Sequence, residues 1–249
     1  MSGWQRGTGP SLGEAAELLA TRELVIEGRL PWSSNLTFLV SLEETGTDGG
    51  QGLVQAVYKP HRGEQSLWDF PDGLYRREVA AYRLSEALGW GIVPPTVLRE
   101  DAPFGTGSVQ LFVEADYEEH YFTLQDEGGC EDELRVFCAF DVVANNADRK
   151  SGHVLRATDG SLWGIDHGLC FHVQHKLRTV IWDFADEQVP DRVVADLEQL
   201  VADGLPADLD ELLSGAEADA LLERAAALAA NGVFPEPLGD RPPYPWPLV

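Results

Sequence analysis

The sequence predicts a two-lobed α+β protein, and three observations carry that reading. Residues 23–114 hold short runs rich in Val, Ile, Leu, Phe and Thr, separated by turns and broken by one amphipathic helix. Residues 133–240 have mostly helical periodicity. Between these halves, residues 101–133 carry ten acidic side chains and no Lys or Arg, which reads as a solvated connection. The expected divisions are an N-terminal lobe over residues 1–115, a C-terminal lobe over 116–240 and a Pro-rich tail over 241–249.

The elements follow in order. Residues 11–22 read as a helix with Ser11 as its N-cap and Glu14 three residues on. Two strands, 23–30 and 36–42, flank the turn 31–35; a Gly-rich loop at 43–51 leads to a third strand, 52–59, which stops at Pro60. Asp72 is the expected cap of a helix over 73–88 that closes at Gly89. Strands are expected at 95–99 and 108–114, then a buried helix at 133–145 and a polar loop at 146–152. A hairpin of strands 153–156 and 161–166 turns at Thr158, Asp159 and Gly160. Helices over 191–203 and 216–230 complete the C-terminal half, and the tail is extended, either laid on the surface or offered to a protein partner.

Charge excludes several functions. Eighteen basic against 42 acidic residues give a net charge of −24, which opposes passive binding to nucleic acid or to an anionic bilayer. No apolar run is long enough for a transmembrane segment, and the first ten residues lack the layout of a signal peptide. Cys130, Cys138 and Cys170 are too few and too irregular for a disulfide framework, so a reducing cytoplasm is the expected location. His167, Cys170, His172 and His175 match no structural zinc spacing.

Of the 18 basic residues only Lys59, Lys150 and Lys176 are lysines. A site shaped for a compact ammonium is poorly served by a planar guanidinium, so these three positions attract attention. Nucleotide-dependent phosphoryl transfer needs a loop over the phosphates, a lysine on them, a carboxylate to orient that lysine and two acidic base or metal positions. The chain offers each in order. Ser33, Ser34 and Asn35 lie in the inter-strand turn, Lys59 ends a strand, Glu78 lies on the next helix, Asp148 follows a buried helix and Asp166 ends a hairpin strand.

The stretch Asp148-Arg149-Lys150-Ser151-Gly152-His153 resembles the DRxxxN catalytic loop of phosphatidylinositol 3/4-kinase-like proteins, and Asp166-His167-Gly168 resembles their metal-binding DxG. Asn145 and Asn146 before the loop are also similar to the NN-containing loop of HipA-type kinases. The resemblance, over residues 23 to 175, implies a protein-kinase-like fold and transfer of the γ-phosphoryl of ATP to a hydroxyl of an unidentified acceptor, with Mg²⁺ or alternatively Mn²⁺. It implies that Lys59 contacts the phosphates, Glu78 pairs with Lys59, Asp148 serves the acceptor hydroxyl and Asp166 binds metal. Phe112, Val113 and Glu114 fall where the hinge holds adenine. His153 stands where the family has a metal-ligating Asn, and imidazole suits Mn²⁺ or Zn²⁺ better than Mg²⁺. A nucleotide-binding pseudokinase and an AMP transferase are the competing readings. His172, His175, Lys176 and Arg178 form a basic stretch after the DxG, where an anionic acceptor or neighbouring acidic side chains would be met. Arg149 and Lys150 either face the transferring phosphoryl group or are exposed.

Overall fold

A computed structural model describes residues 12–31, 35–45, 51–239 and 242–249. Ser11, Ser33 and Ser34 lie outside the described residues. The N-terminal half runs α1 (Leu12–Thr21), β1 (Val25–Arg29), β2 (Phe38–Thr45), β3 (Gln51–Pro60), α2 (Leu74–Ala87), β4 (Thr96–Arg99) and β5 (Gly107–Leu111). Its strands form one antiparallel sheet in the order β1-β2-β3-β5-β4. Val54, Ala56 and Tyr58 of β3 alternate into a core with Ala15 and Leu19 of α1, Val40, Leu42 and Val109. That alternation turns Lys59, beside Tyr58, to the opposite face of the sheet. Gly107 is required opposite Pro60, because a Cβ there would lie 2.4 Å from the Lys59 carbonyl oxygen.

β5 ends at Leu111, short of the expected strand end at residue 114. Phe112 N–H donates to the Gln55 carbonyl, and the chain then crosses to the second half, where the Thr158 N–H bonds the Glu114 carbonyl.

The C-terminal half comprises α3 (Tyr121–Glu127), α4 (Glu131–Ala144), the hairpin β6 (Val154–Arg156) and β7 (Leu162–Gly164), α5 (Asp191–Asp203), the short α6 (Ala207–Asp210) and α7 (Gly215–Asn231). Phe137, Phe140, Phe171, Ile181, Leu197, Leu221 and Phe234 make its core, which also takes in Ala81 and Leu84 of α2. α2 is thus packed against the helical half as well as its own sheet. Residues 101–133 are more than a linker: α3 buries Tyr121 and Leu124, and the Tyr121 hydroxyl donates to Asp183 at 2.6 Å. The acidic excess misled there because none of the ten carboxylates is buried, while Val109, Leu111, Tyr121 and Leu124 between them are. α7 begins at Ser214, which forms a capping box with Glu217.

Asp72 does not cap α2. The Glu64 carboxylate, from the preceding loop, accepts the Gly73, Leu74 and Tyr75 N–H groups at 3.2, 3.0 and 2.6 Å, and Asp72 pairs with His61 instead. One remote side chain thus satisfies three of the helix's unpaired amides.

The tail lies on the protein. The Pro243 carbonyl accepts from Thr179 N–H at 3.0 Å and Trp182 Nε1 at 3.2 Å, and the Leu248 carbonyl accepts from Ser151 N–H at 2.8 Å.

Candidate active site

The site begins at the end of β3. Lys59 Nζ donates to Glu78 Oε1 of α2, and at 2.7 Å to Asp166 Oδ1 beyond β7. The other Glu78 oxygen accepts the His167 N–H at 2.9 Å, so one carboxylate fixes both the lysine and the backbone after Asp166. Gly168 lets that backbone pass α2, since a Cβ there would lie 3.3 Å from Glu78 Oε1. Asp166 has a φ of 63°, a left-handed backbone that Asp tolerates better than most residues. Glu78 is buried, whereas the Asp166 side chain is 51% exposed.

Around Lys59 the charges support one another. Burial works against its ammonium, but Asp166 and Glu78 outweigh burial and raise its pKa. Lys59 in turn holds the Asp166 carboxyl far below the ordinary range. Burial raises the Glu78 carboxyl's pKa, with Lys59 opposing.

Asp148 and Lys150 occupy the loop after α4, with Lys150 Nζ 3.3 Å from Asp148 Oδ2. Burial raises the Asp148 carboxyl to about 6; Lys150 opposes that and Asp166 adds to it. His153 Nε2 lies 3.4 Å from Asp166 Oδ2, and burial lowers its imidazole to about 4, so it is neutral near pH 7. Lys59, Glu78, His153 and Asp166 therefore converge, and Asp148 with Lys150 stands in the adjoining loop.

Arg149 is neither exposed nor turned toward these groups. It is fully buried and binds Asp141 of α4 through Nε and Nη2, the carbonyls of His153 and Ile165 through Nη1, and His167 Nε2 at 2.8 Å. Asp141 also accepts from Asn146 and Thr179, so the apolar α4 carries one acid that ties the loop, the hairpin and residue 179 together. Asn145 ends α4 with a φ of 53° and uses its side chain three times, donating to the His172 and Gln174 carbonyls and accepting the Lys176 N–H. Sequence reasoning missed the roles of Asp141 and His167; the available signal for Asp141 was an acid inside the otherwise apolar stretch 136–144.

The remaining expected residues divide. Asn35 Oδ1 accepts the Gln65 N–H at 2.9 Å, tying the inter-strand turn to the loop after β3. Phe112, Val113 and Glu114 form the crossing from β5. Lys176 neutralises Asp69, at 2.9 Å, and lies over the Phe70 ring, instead of meeting Asp183 or Asp186. Among the described residues, the one trio of metal-ligating side chains that converges is His61, Glu64 and Asp72, away from the histidines after the DxG. No described helix is long and apolar enough to cross a membrane.

Solved structures of similar shape are kinases. The Golgi casein kinase with Mn/ADP bound is 14% identical with a TM-score of 0.53, the match covering 96% of this chain and 80% of that one. Hydra Fam20 with sugar is 15% identical with a TM-score of 0.51, covering 88% and 87%. The fold is therefore the two-lobed α+β fold of protein-kinase-like proteins. The chain belongs to the family of Protein Rv2133c of Mycobacterium tuberculosis, to which it is 40% identical over 268 residues, 92% of this chain and 94% of that protein. Phosphatidylinositol 4-kinase gamma 2 of Arabidopsis thaliana is 29% identical over 146 residues, 43% of this chain and 24% of the plant protein. No family model matches the chain.

Proposed function

We propose that this protein is an ATP-dependent phosphotransferase that moves the γ-phosphoryl group of ATP to a hydroxyl acceptor. The observation that carries the reading is the double hold on Lys59, by buried Glu78 on one side and half-exposed Asp166 on the other. A structural ion pair needs one partner; a lysine poised between a buried orienting acid and a half-exposed acid is arranged to meet a further ligand.

In this reading the two lobes meet near residue 115 and ATP lies between them, its adenine beside Phe112, Val113 and Glu114 and its phosphates near the turn of Ser33, Ser34 and Asn35. Lys59 contacts the phosphates, with Glu78 holding the ammonium in place. Asp148 orients the acceptor hydroxyl and takes its proton; a carboxyl at about 6 is a stronger base than an unperturbed Asp and is still ionised near pH 7. Lys150, salt-bridged to Asp148, sets a positive charge toward the transferring group. Asp166 Oδ2 and the neutral His153 offer one hard and one borderline donor, a set that suits Mn²⁺ better than Mg²⁺. Such an ion neutralises phosphate charge when bound. The three free cysteines fit a reducing cytoplasm.

A second reading, a nucleotide-binding pseudokinase, is favoured by His153 in the place of the metal-ligating amide. Incubation with γ- or α-labelled ATP and Mg²⁺ or Mn²⁺ separates the readings. Label from the γ position reaching an acceptor or water, and lost in Asp166→Ala, supports phosphoryl transfer. Label from the α position indicates AMP transfer, and nucleotide binding without transfer indicates the pseudokinase.

A further inference from the structure

Arg178 lies directly beside Asp148. Its N–H donates to the Asn146 carbonyl at 2.9 Å and its carbonyl accepts the Arg149 N–H at 3.0 Å, so its backbone is bonded on both sides of Asp148. Its charge also acts to lower the Asp148 pKa. The neighbouring cations are committed, Lys150 to Asp148, Lys176 to Asp69 and Arg149 to Asp141. The Arg178 guanidinium has no hydrogen bond or ion pair among the described residues.

Arg178 lines a cavity with Lys176, Trp182, Leu238, Pro242 and Pro243. Lys176 and Arg178 supply basic lining, and Trp182, Leu238, Pro242 and Pro243 apolar lining. The Pro-rich tail builds the apolar side and is pinned there by the bonds of Thr179 and Trp182 to the Pro243 carbonyl. A planar guanidinium in the lining of such a cavity matches a carboxylate or phosphate, which it can bind through two parallel N–H groups.

We propose that this cavity is the acceptor subsite, and that the acceptor is an anionic hydroxyl compound whose carboxylate or phosphate binds Arg178 while its hydroxyl faces Asp148. The proposal rests on the phosphotransferase reading. In the step it serves, the acceptor oxygen bonds the γ-phosphorus, the bond from that phosphorus to the ADP oxygen breaks, and the hydroxyl proton passes to Asp148.

The test uses acceptors in charged and neutral pairs with the full chain: a Ser peptide flanked by Glu against the same peptide flanked by Gln, and glycerol 3-phosphate against glycerol. The charged member of at least one pair is expected to show a KM about tenfold to a hundredfold below its neutral partner, the scale of one charge-assisted contact. Arg178→Gln is expected to erase that ratio and Arg178→Lys to restore part of it, with the KM for ATP unchanged. The peptide pair reports a carboxylate and the glycerol pair a phosphate. Equal use of charged and neutral acceptors, or a ratio that survives Arg178→Gln, would overturn the proposal.

If γ label reaches neither an acceptor nor water, the phosphotransferase reading fails and the subsite is judged separately by phenylglyoxal labelling of arginines, followed by mass spectrometry. Glycerol 3-phosphate or the Glu-flanked peptide is expected to slow labelling of Arg178 saturably while leaving Arg192, whose side chain is 75% exposed, unaffected. Equal effects on both arginines, or none on Arg178, would show that no anion subsite exists.

Discussion

Arg77 and Glu217, 140 residues apart in the sequence, meet in a buried ion pair that fastens α2 to α7. Arg83 adds a bond to Asp208 at 3.2 Å, and Arg76 donates to the Glu211 carbonyl. Arg77 and Glu78 are neighbours that turn to different tasks, the first toward the helical half and the second toward Lys59. The position of Glu78 is therefore set from the C-terminal half.

Breaking that pair on one side leaves a buried charge uncompensated. Glu217→Gln or Arg77→Met is expected to cost about 3–5 kcal/mol of stability, read from the urea midpoint at constant slope. Replacing both residues with apolar ones, Arg77→Met with Glu217→Leu, is expected to recover most of the loss. Additive losses in the double variant would show that the two side chains are not energetically coupled.

Asp148 is expected to trade stability for basicity. Its folded pKa, about 6, lies above the unfolded value of 3.8, so the folded protein binds more protons between those values and the group destabilises the fold as pH rises through that window. Above pH 6 the cost is roughly 2–3 kcal/mol. Asp148→Asn should therefore raise neutral-pH stability while removing transfer, and its advantage over the parent should vanish below about pH 4. Taking the difference between the two proteins cancels His153, which is depressed to about 4 and contributes a slope of opposite sign in part of the same range. In the parent, kcat should fall tenfold per pH unit well below pH 6, as the base is protonated.

The sequence made the Lys59, Glu78, Asp166 and Asp148 set legible because its chemistry is sparse. Three lysines in an arginine-biased chain, acids in a fixed order and one helix between two strands leave few arrangements. The supports were hidden for physical reasons. A carboxylate that caps a helix from ten residues upstream, as Glu64 does, leaves no local pattern, and Asp72 offered a false one. Arg149 was read as facing the phosphates or solvent because arginine is seldom fully buried; only the fold brings Asp141, His167 and two carbonyls around it. The strand expected to reach residue 114 ends at Leu111, where the chain leaves the sheet to cross to the helical half after one more bond, from Phe112 to Gln55.

Asn145 is expected to be the joint between α4 and the segment at residues 172–176. Asn145→Gly keeps the left-handed backbone and removes three side-chain hydrogen bonds, at a cost of about 2–3 kcal/mol. Asn145→Ala adds a further penalty of about 1 kcal/mol for the positive φ. Amide hydrogen exchange at Lys176 should quicken in both variants, since Asn145 Oδ1 is its acceptor. Unchanged exchange there would mean that the segment is held by other contacts.

Lys59 allows stability and function to be separated. Lys59→Met leaves Glu78 buried without its cation, so the carboxyl's pKa should rise further, and label transfer should fall about a hundredfold or more. Lys59→Arg should not rescue transfer, because a planar fork cannot reproduce one ammonium bonded to Glu78 Oε1 and Asp166 Oδ1 together. Adding Glu78→Gln to Lys59→Met should restore stability, since the carboxyl that burial penalises is gone, while transfer stays lost. Thermal unfolding and γ-label transfer measured on the same four proteins check this. If transfer returned with stability in the double variant, the two side chains would be structural supports and the phosphate contact would have to lie elsewhere.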